Sequence, residues 1–237
     1  MLFPMTGGYG LYLLFSLPAL LLGFWAQMKV KGAFNKYSKI RNTTGMAGSE
    51  VARRMLISNG INNVRIEETG GILSDHYDPT AKVLRLSAET YRSNSIAAAG
   101  VAAHEAGHAL QDAAGYVPMH IRSAIVPAVQ IGSWLGPIIF MIGLFMASTI
   151  GTQLAWVGIL IFSASAVFAL VTLPVELDAS QRAKEWLASS GIIYQSEMEG
   201  IHSVLNAAAW TYVAAAIQAV STVLYYVFLL SGSRRRD

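Results

Sequence analysis

The chain has 237 residues, 54% of them hydrophobic and only 13% charged, with mean hydropathy +0.44. Soluble domains carry about 25% charge, so this composition is a membrane protein's and excludes an ordinary soluble globular domain. The net charge is +3 with no cysteine, which excludes disulfides and thiolate metal sites; basic residues beside apolar runs suit anionic lipid headgroups, not nucleic acid.

Residues 11–28 form an apolar run long enough to span a bilayer. No positive charge precedes it, whereas Lys29, Lys31, Lys36, Lys39 and Arg41 follow. The expectation is an uncleaved anchor with its N-terminus outside and the next segment cytoplasmic.

Residues 29–121 are the more polar part. A helix is predicted over 48–59, with Val51, Met55 and Leu56 as its apolar stripe and Gly60 as its stop. Three strand-like pieces follow at 64–68, 72–77 and 82–86, separated by Gly70-Gly71 and Asp78-Pro79-Thr80. They predict a three-stranded meander. Its exposed edge, around Asp75, His76, Tyr77 and Asp78, is a candidate to hold an extended substrate by main-chain hydrogen bonds. Ser87 and Ser95 are expected N-caps of two successive helices.

Spans are predicted over residues 124–147 and 154–173, joined by an uncharged turn into a hairpin. A polar helical stretch over 181–202, broken at Gly191, leads to a fourth span over 207–230 and the basic tail Arg234–Arg236. The expected division is an anchor (1–28), a zincin-like part (29–121), a hairpin (122–173), a polar segment (174–206) and a last span with its tail (207–237). Together they form one integrated, mainly α membrane protein with a small α+β part.

The stretch that carries chemistry is His104-Glu105-Ala106-Gly107-His108, an H-E-x-x-H motif in an alanine-rich helical run. Positions i and i+4 share a helix face, so both imidazoles can reach one zinc ion. Glu105 lies to the side, where a carboxylate can act as general base on an attacking water. A third protein ligand is needed, with one position left open. The metzincin extension is absent, because Gln111 and Ala114 stand where Gly and His are required. Glu176 is the preferred third ligand. A hairpin of two spans returns the chain to the face it left, so residues 120 and 174 lie on one side of the membrane. His76, His120 and His202 are weaker candidates, the last two read as interfacial histidines. Asp178 and Asp112 are candidates to orient an imidazole. Tyr212, Asn206 and His202 are candidates to stabilise an oxyanion.

These residues carry a family likeness. The chain resembles the YugP-like neutral zinc metallopeptidases in Ser74-Asp75-His76-Tyr77-Asp78-Pro79, in residues 102–111 around the motif, in Leu173-Pro174-Val175-Glu176 with Ala179-Ser180, and in Asn206-Ala207-Ala208 with Thr211-Tyr212-Val213. The resemblance implies a zinc peptidase of the cytoplasmic membrane, with His104 and His108 as ligands and Glu105 catalytic. A more distant similarity is to the HtpX-type membrane gluzincins and the prenyl-protein proteases, whose third ligand lies in an E-x-x-x-D pattern after a span. Glu176 matches the Glu, while Ser180 stands in place of the Asp and inherits its supporting position.

The sequence therefore points to a membrane metalloendopeptidase with one zinc per chain, its site at the cytoplasmic interface of a multi-pass inner-membrane protein. Its expected partners are a membrane-associated protein or peptide substrate and the lipid bilayer, with room for a homo-oligomer or a membrane-protein partner. The rival from another class is a non-catalytic zinc scaffold or chaperone-like protein with four protein ligands. A transporter is disfavoured, because the second to fourth spans carry almost no ionisable residues.

Overall fold

The computed structural model describes residues 5–71, 73–146 and 148–233; the basic tail at Arg234–Arg236 lies outside them, as does Ile72 of the second predicted strand. The chain is mainly helical. In order it forms α1 (Met5–Tyr37), α2 (Gly48–Ser58), β1 (Arg65–Thr69), β2 (His76–Asp78), β3 (Val83–Ser87), α3 (Ala88–Tyr91), α4 (Ile96–Ala113), α5 (Val117–Phe145), α6 (Thr149–Ser189) and α7 (Met198–Ser233).

Among the described residues, α1, α5, α6 and α7 are long and apolar enough to cross a bilayer. About 20 helical residues span the hydrocarbon core, so α6, at 41 residues, extends well beyond it. Pro174 does not end this helix. The proline removes one main-chain donor, but Leu, Ala, Glu, Gln, Arg and Lys beyond it are strong helix formers and carry the helix to Ser189. The polar stretch expected from residue 181 is thus the continuation of the third span's own helix. It breaks at Gly191, which adopts φ +70°.

The contacts divide the chain into two compact units. One comprises the chain up to Trp25, Ile121–Leu173 and the chain from Thr211. Here glycines let α5 and α6 approach backbone to backbone. A Cβ on Gly143 would lie 2.4 Å from the Ala155 nitrogen, and one on Gly158 would lie 2.4 Å from that of Phe140. Lipid tails are as apolar as leucine, so such close packing, not a hydrophobic driving force, is what joins helices in a bilayer. Phe140 also stacks on Tyr226 of α7 at 4.3 Å between ring centroids.

The other unit comprises Ala26–His120 and Pro174–Trp210. Its core joins Val51, Met55 and Leu56 of α2, Leu84 and Leu86 of β3, the alanines of α4, Val175 and Leu187 of α6, and Ile201 of α7. The sheet corrects the predicted meander. Its order is β1-β3-β2, with β1 parallel and β2 antiparallel to β3. Val83, Leu84 and Leu86 are fully buried, so β3 takes the centre, while β1 alternates partly exposed positions and β2 has only three residues. Residues 70–82, including β2, supply the dozen or so residues that a parallel connection needs.

The two expected serine caps differ. Ser95 accepts the Ala98 N–H at 3.1 Å and caps α4. Ser87 occupies the N-cap position of α3 but makes no side-chain cap, because its hydroxyl bonds Asp75 and Thr90 instead.

Candidate metal centre

α4 carries the motif. Its alanines and glycines leave little side-chain bulk, so the helix is buried over most of its surface and its polar groups must find partners. Gly107 sets how closely it meets α6: a Cβ there would lie 2.6 Å from the Ala179 carbonyl oxygen. That approach brings the face bearing His104 and His108 against Glu176, less than one turn beyond the apolar run of α6.

Glu176 Oε2 lies 3.1 Å from His104 Nε2 and 3.5 Å from His108 Nε2. Two donors each about 2.0–2.1 Å from a tetrahedral zinc sit roughly 3.3 Å apart, so these separations fit a single ion. One ligand atom from each of the three residues lies within 4.8 Å of the others, and no fourth His, Asp or Glu joins this group among the described residues. Two imidazole nitrogens and a carboxylate oxygen are the donor set of a zinc site that keeps one position open.

Both imidazoles are held from behind. Ser180 Oγ lies 3.1 Å from His104 Nδ1, and Gln111 Oε1 lies 2.9 Å from His108 Nδ1. With each Nδ1 engaged from behind, each ring turns its Nε2 toward Glu176. Ser180, four residues after Glu176 on α6, thus reaches His104 from the side away from Glu176. Burial alone would favour neutral His108. The Glu176 and Glu105 carboxylates outweigh it and raise its proton affinity above that of an ordinary imidazole.

The family described as "Putative neutral zinc metallopeptidase" matches residues 12–231. The chain belongs to this family. The Bacillus subtilis (strain 168) protein named "Putative membrane protease YugP" is 44% identical to it over 224 residues, covering 94% of this chain and 98% of that protein. No solved structure matches the chain. Among the described residues, the four helices long and apolar enough to cross a bilayer agree with the membrane setting in the relative's name.

Glu105 is buried, and its carboxylate makes no hydrogen bond to another described residue. Asp178 Oδ2 accepts from Gln111 Nε2 at 2.8 Å and from Arg182 Nε at 2.6 Å, so it bears on His108 through the amide. Asp112 engages no imidazole. It accepts from the Tyr77 hydroxyl at 2.6 Å and from Lys82 Nζ at 2.5 Å, tying the sheet to α4. Burial would raise the Asp112 carboxyl, but the Lys82 ammonium and Tyr77 hydroxyl outweigh it and hold it below the usual range. Burial first, and then the bond to Asp112, push the Tyr77 hydroxyl well up.

The other acids of the Asp75–Asp78 stretch organise turns. Asp75 accepts the Ser87 N–H, and Asp78 accepts the N–H groups of Thr80 and Ala81. His76 is exposed, its Nδ1 2.8 Å from the Ser74 carbonyl. His120 and His202 are exposed on helix surfaces, and Asn206 Oδ1 accepts from Lys184 Nζ at 2.7 Å. Tyr212 is half-buried on α7, in the unit that does not hold the cluster.

Gln111 is the participant that motif reading assigns no role. Its signal was its spacing: i+3 from His108 puts it on the same helix face.

Proposed function

We propose that the chain is a zinc-dependent membrane endopeptidase of the gluzincin kind, with His104, His108 and Glu176 holding the ion and Glu105 as general base. The observation that carries this reading is the three-donor group, His104, His108 and Glu176, with Glu105 buried beside it. A structural centre would close its shell with a fourth protein ligand. When bound, zinc would polarise the scissile carbonyl and acidify the attacking water. Glu105 takes one proton from that water onto a carboxylate oxygen as the new C–O bond forms. It then delivers the proton to the amine nitrogen as the C–N bond breaks. Because its carboxylate is committed to no other described group, it can turn between the two positions.

The substrate class we propose is a protein or peptide associated with the bilayer, cleaved at the face where α6 leaves the apolar layer; the apolar helices support this reading. The basic residues between Lys29 and Arg54 support a cytoplasmic location for that face. Glu105→Gln is the decisive variant. It retains shape, so purified protein should keep its zinc while losing proteolysis of a membrane-associated substrate. Continued cleavage by that variant removes Glu105 from the mechanism. A zinc-loaded wild type with four protein ligands and no cleavage favours the scaffold reading.

A further inference from the structure

We infer that Gln111 is a positioning residue of the metal centre: its amide fixes the tautomer and direction of His108 while tying α4 to the turn of α6 that carries Glu176. The inference rests on the zinc centre proposed above. Gln111 is fully buried, and both ends of its amide are used. Nε2 donates to the Val175 carbonyl at 2.7 Å and to Asp178 Oδ2 at 2.8 Å. Both partners only accept, so the amide cannot be turned over without facing oxygen against oxygen twice. Oε1 is thereby obliged to face His108 Nδ1, 2.9 Å away, and only a protonated Nδ1 satisfies it. The Nε2 lone pair of His108 is left bare, on the side of Glu176.

Ser180 exerts no such command over His104, because a hydroxyl both donates and accepts. Gln111 alone converts acceptors on α6 into a tautomer on α4. Arg182 Nε, 2.6 Å from Asp178 Oδ2, steadies the far end of the chain of contacts. Val175 directly precedes Glu176, so one side chain reaches back to a ligand and across to the neighbour of another.

The test uses the full chain in detergent with two variants. Gln111→Leu keeps the volume and loses both hydrogen-bonding ends. Gln111→Asn keeps the amide but is one methylene too short to serve both helices, and it decides the matter if the leucine variant does not fold. Zinc affinity is read by chelator competition, and 15N-histidine NMR of the zinc-free protein, taken at alkaline pH where the ring is neutral, reads the tautomer. We expect zinc binding about 10–100-fold weaker in the variants, with His108 no longer held as the Nδ1–H form. Zinc affinity within twofold of wild type in a folded variant, or an unchanged His108 tautomer, overturns the inference and leaves the centre standing. A wild type that binds no zinc overturns both.

Discussion

A methyl group at position 107 would sit 2.6 Å from the carbonyl oxygen of Ala179, closer than real Cβ contacts come. Gly107 and Ala179 are therefore a point of main-chain contact between α4 and α6, the two helices that divide the proposed ligand set between them. Gly107→Ala should destabilise the fold by about 1–3 kcal/mol, because the obstacle is main chain and no rotamer relieves it. It should also weaken zinc binding, since α4 must back away from Glu176. Thermal unfolding and zinc titration of the same preparation check this. An alanine variant with native stability and affinity would show that the helices yield freely there.

Glu176 contributes the only carboxylate of the group. Glu176→Gln keeps the size and removes the charge, so two imidazoles alone face the ion. The loss should exceed the effect of changing a supporting residue, which is typically 10–100-fold. Metal analysis after dialysis against a weak chelator should find zinc in the wild type and none in the variant. Full retention would transfer the third ligand to another residue.

Much of this centre was legible in the sequence because its parts are local. The i, i+4 spacing of His104 and His108 fixes their common face on any helix. Glu176 required one more step, that a hairpin of spans returns to the face it left, and the structure groups it with the two imidazoles. The sheet order was not legible. A meander and the observed β1-β3-β2 order use the same three short runs. What separates them is the burial of Val83, Leu84 and Leu86, which depends on α2 and α4 arriving from elsewhere. That the third span and the polar stretch from residue 181 share one helix through Pro174 was not legible for a similar reason. The cost of one missing hydrogen bond is local, whereas the helix-forming residues that outweigh it lie beyond. Gln111 stayed silent because an amide in a motif's shadow has no pattern until its acceptors on α6 are known.

Ser180 offers a test of substitution between related patterns. Its hydroxyl stands 3.1 Å from His104 Nδ1, where the more distant gluzincins carry an Asp. Ser180→Ala leaves that nitrogen without its partner and should weaken zinc binding by about 10-fold or more. Ser180→Asp should retain binding if the site admits the larger group, since a carboxylate accepts from the same N–H. Chelator competition on both variants separates the cases. Equal, undiminished affinity in Ser180→Ala would make the contact incidental.

The Asp112 cluster predicts a pH dependence independent of the metal. Its carboxyl is held below the usual value by Lys82 and Tyr77, with exposed His120 adding to the effect. A carboxyl depressed in the folded state contributes stability that is present above its unfolded value, about 3.9, and that is lost as pH falls through its folded value. Asp112→Asn removes that contribution. In chelator-treated protein it should melt below the wild type at pH 7, with about 2–4 °C for each kcal/mol lost in a chain of this size. The gap should narrow as the pH is lowered beneath about 4, where the unfolded chain's carboxyl protonates before the folded one does. Melting curves at pH 7, 5 and 3 read the difference directly. A constant gap across that range would mean that the carboxylate's charge contributes nothing and that Asp112 acts by shape alone, in which case Lys82→Met, which removes the opposing ammonium, should leave stability unchanged at every pH.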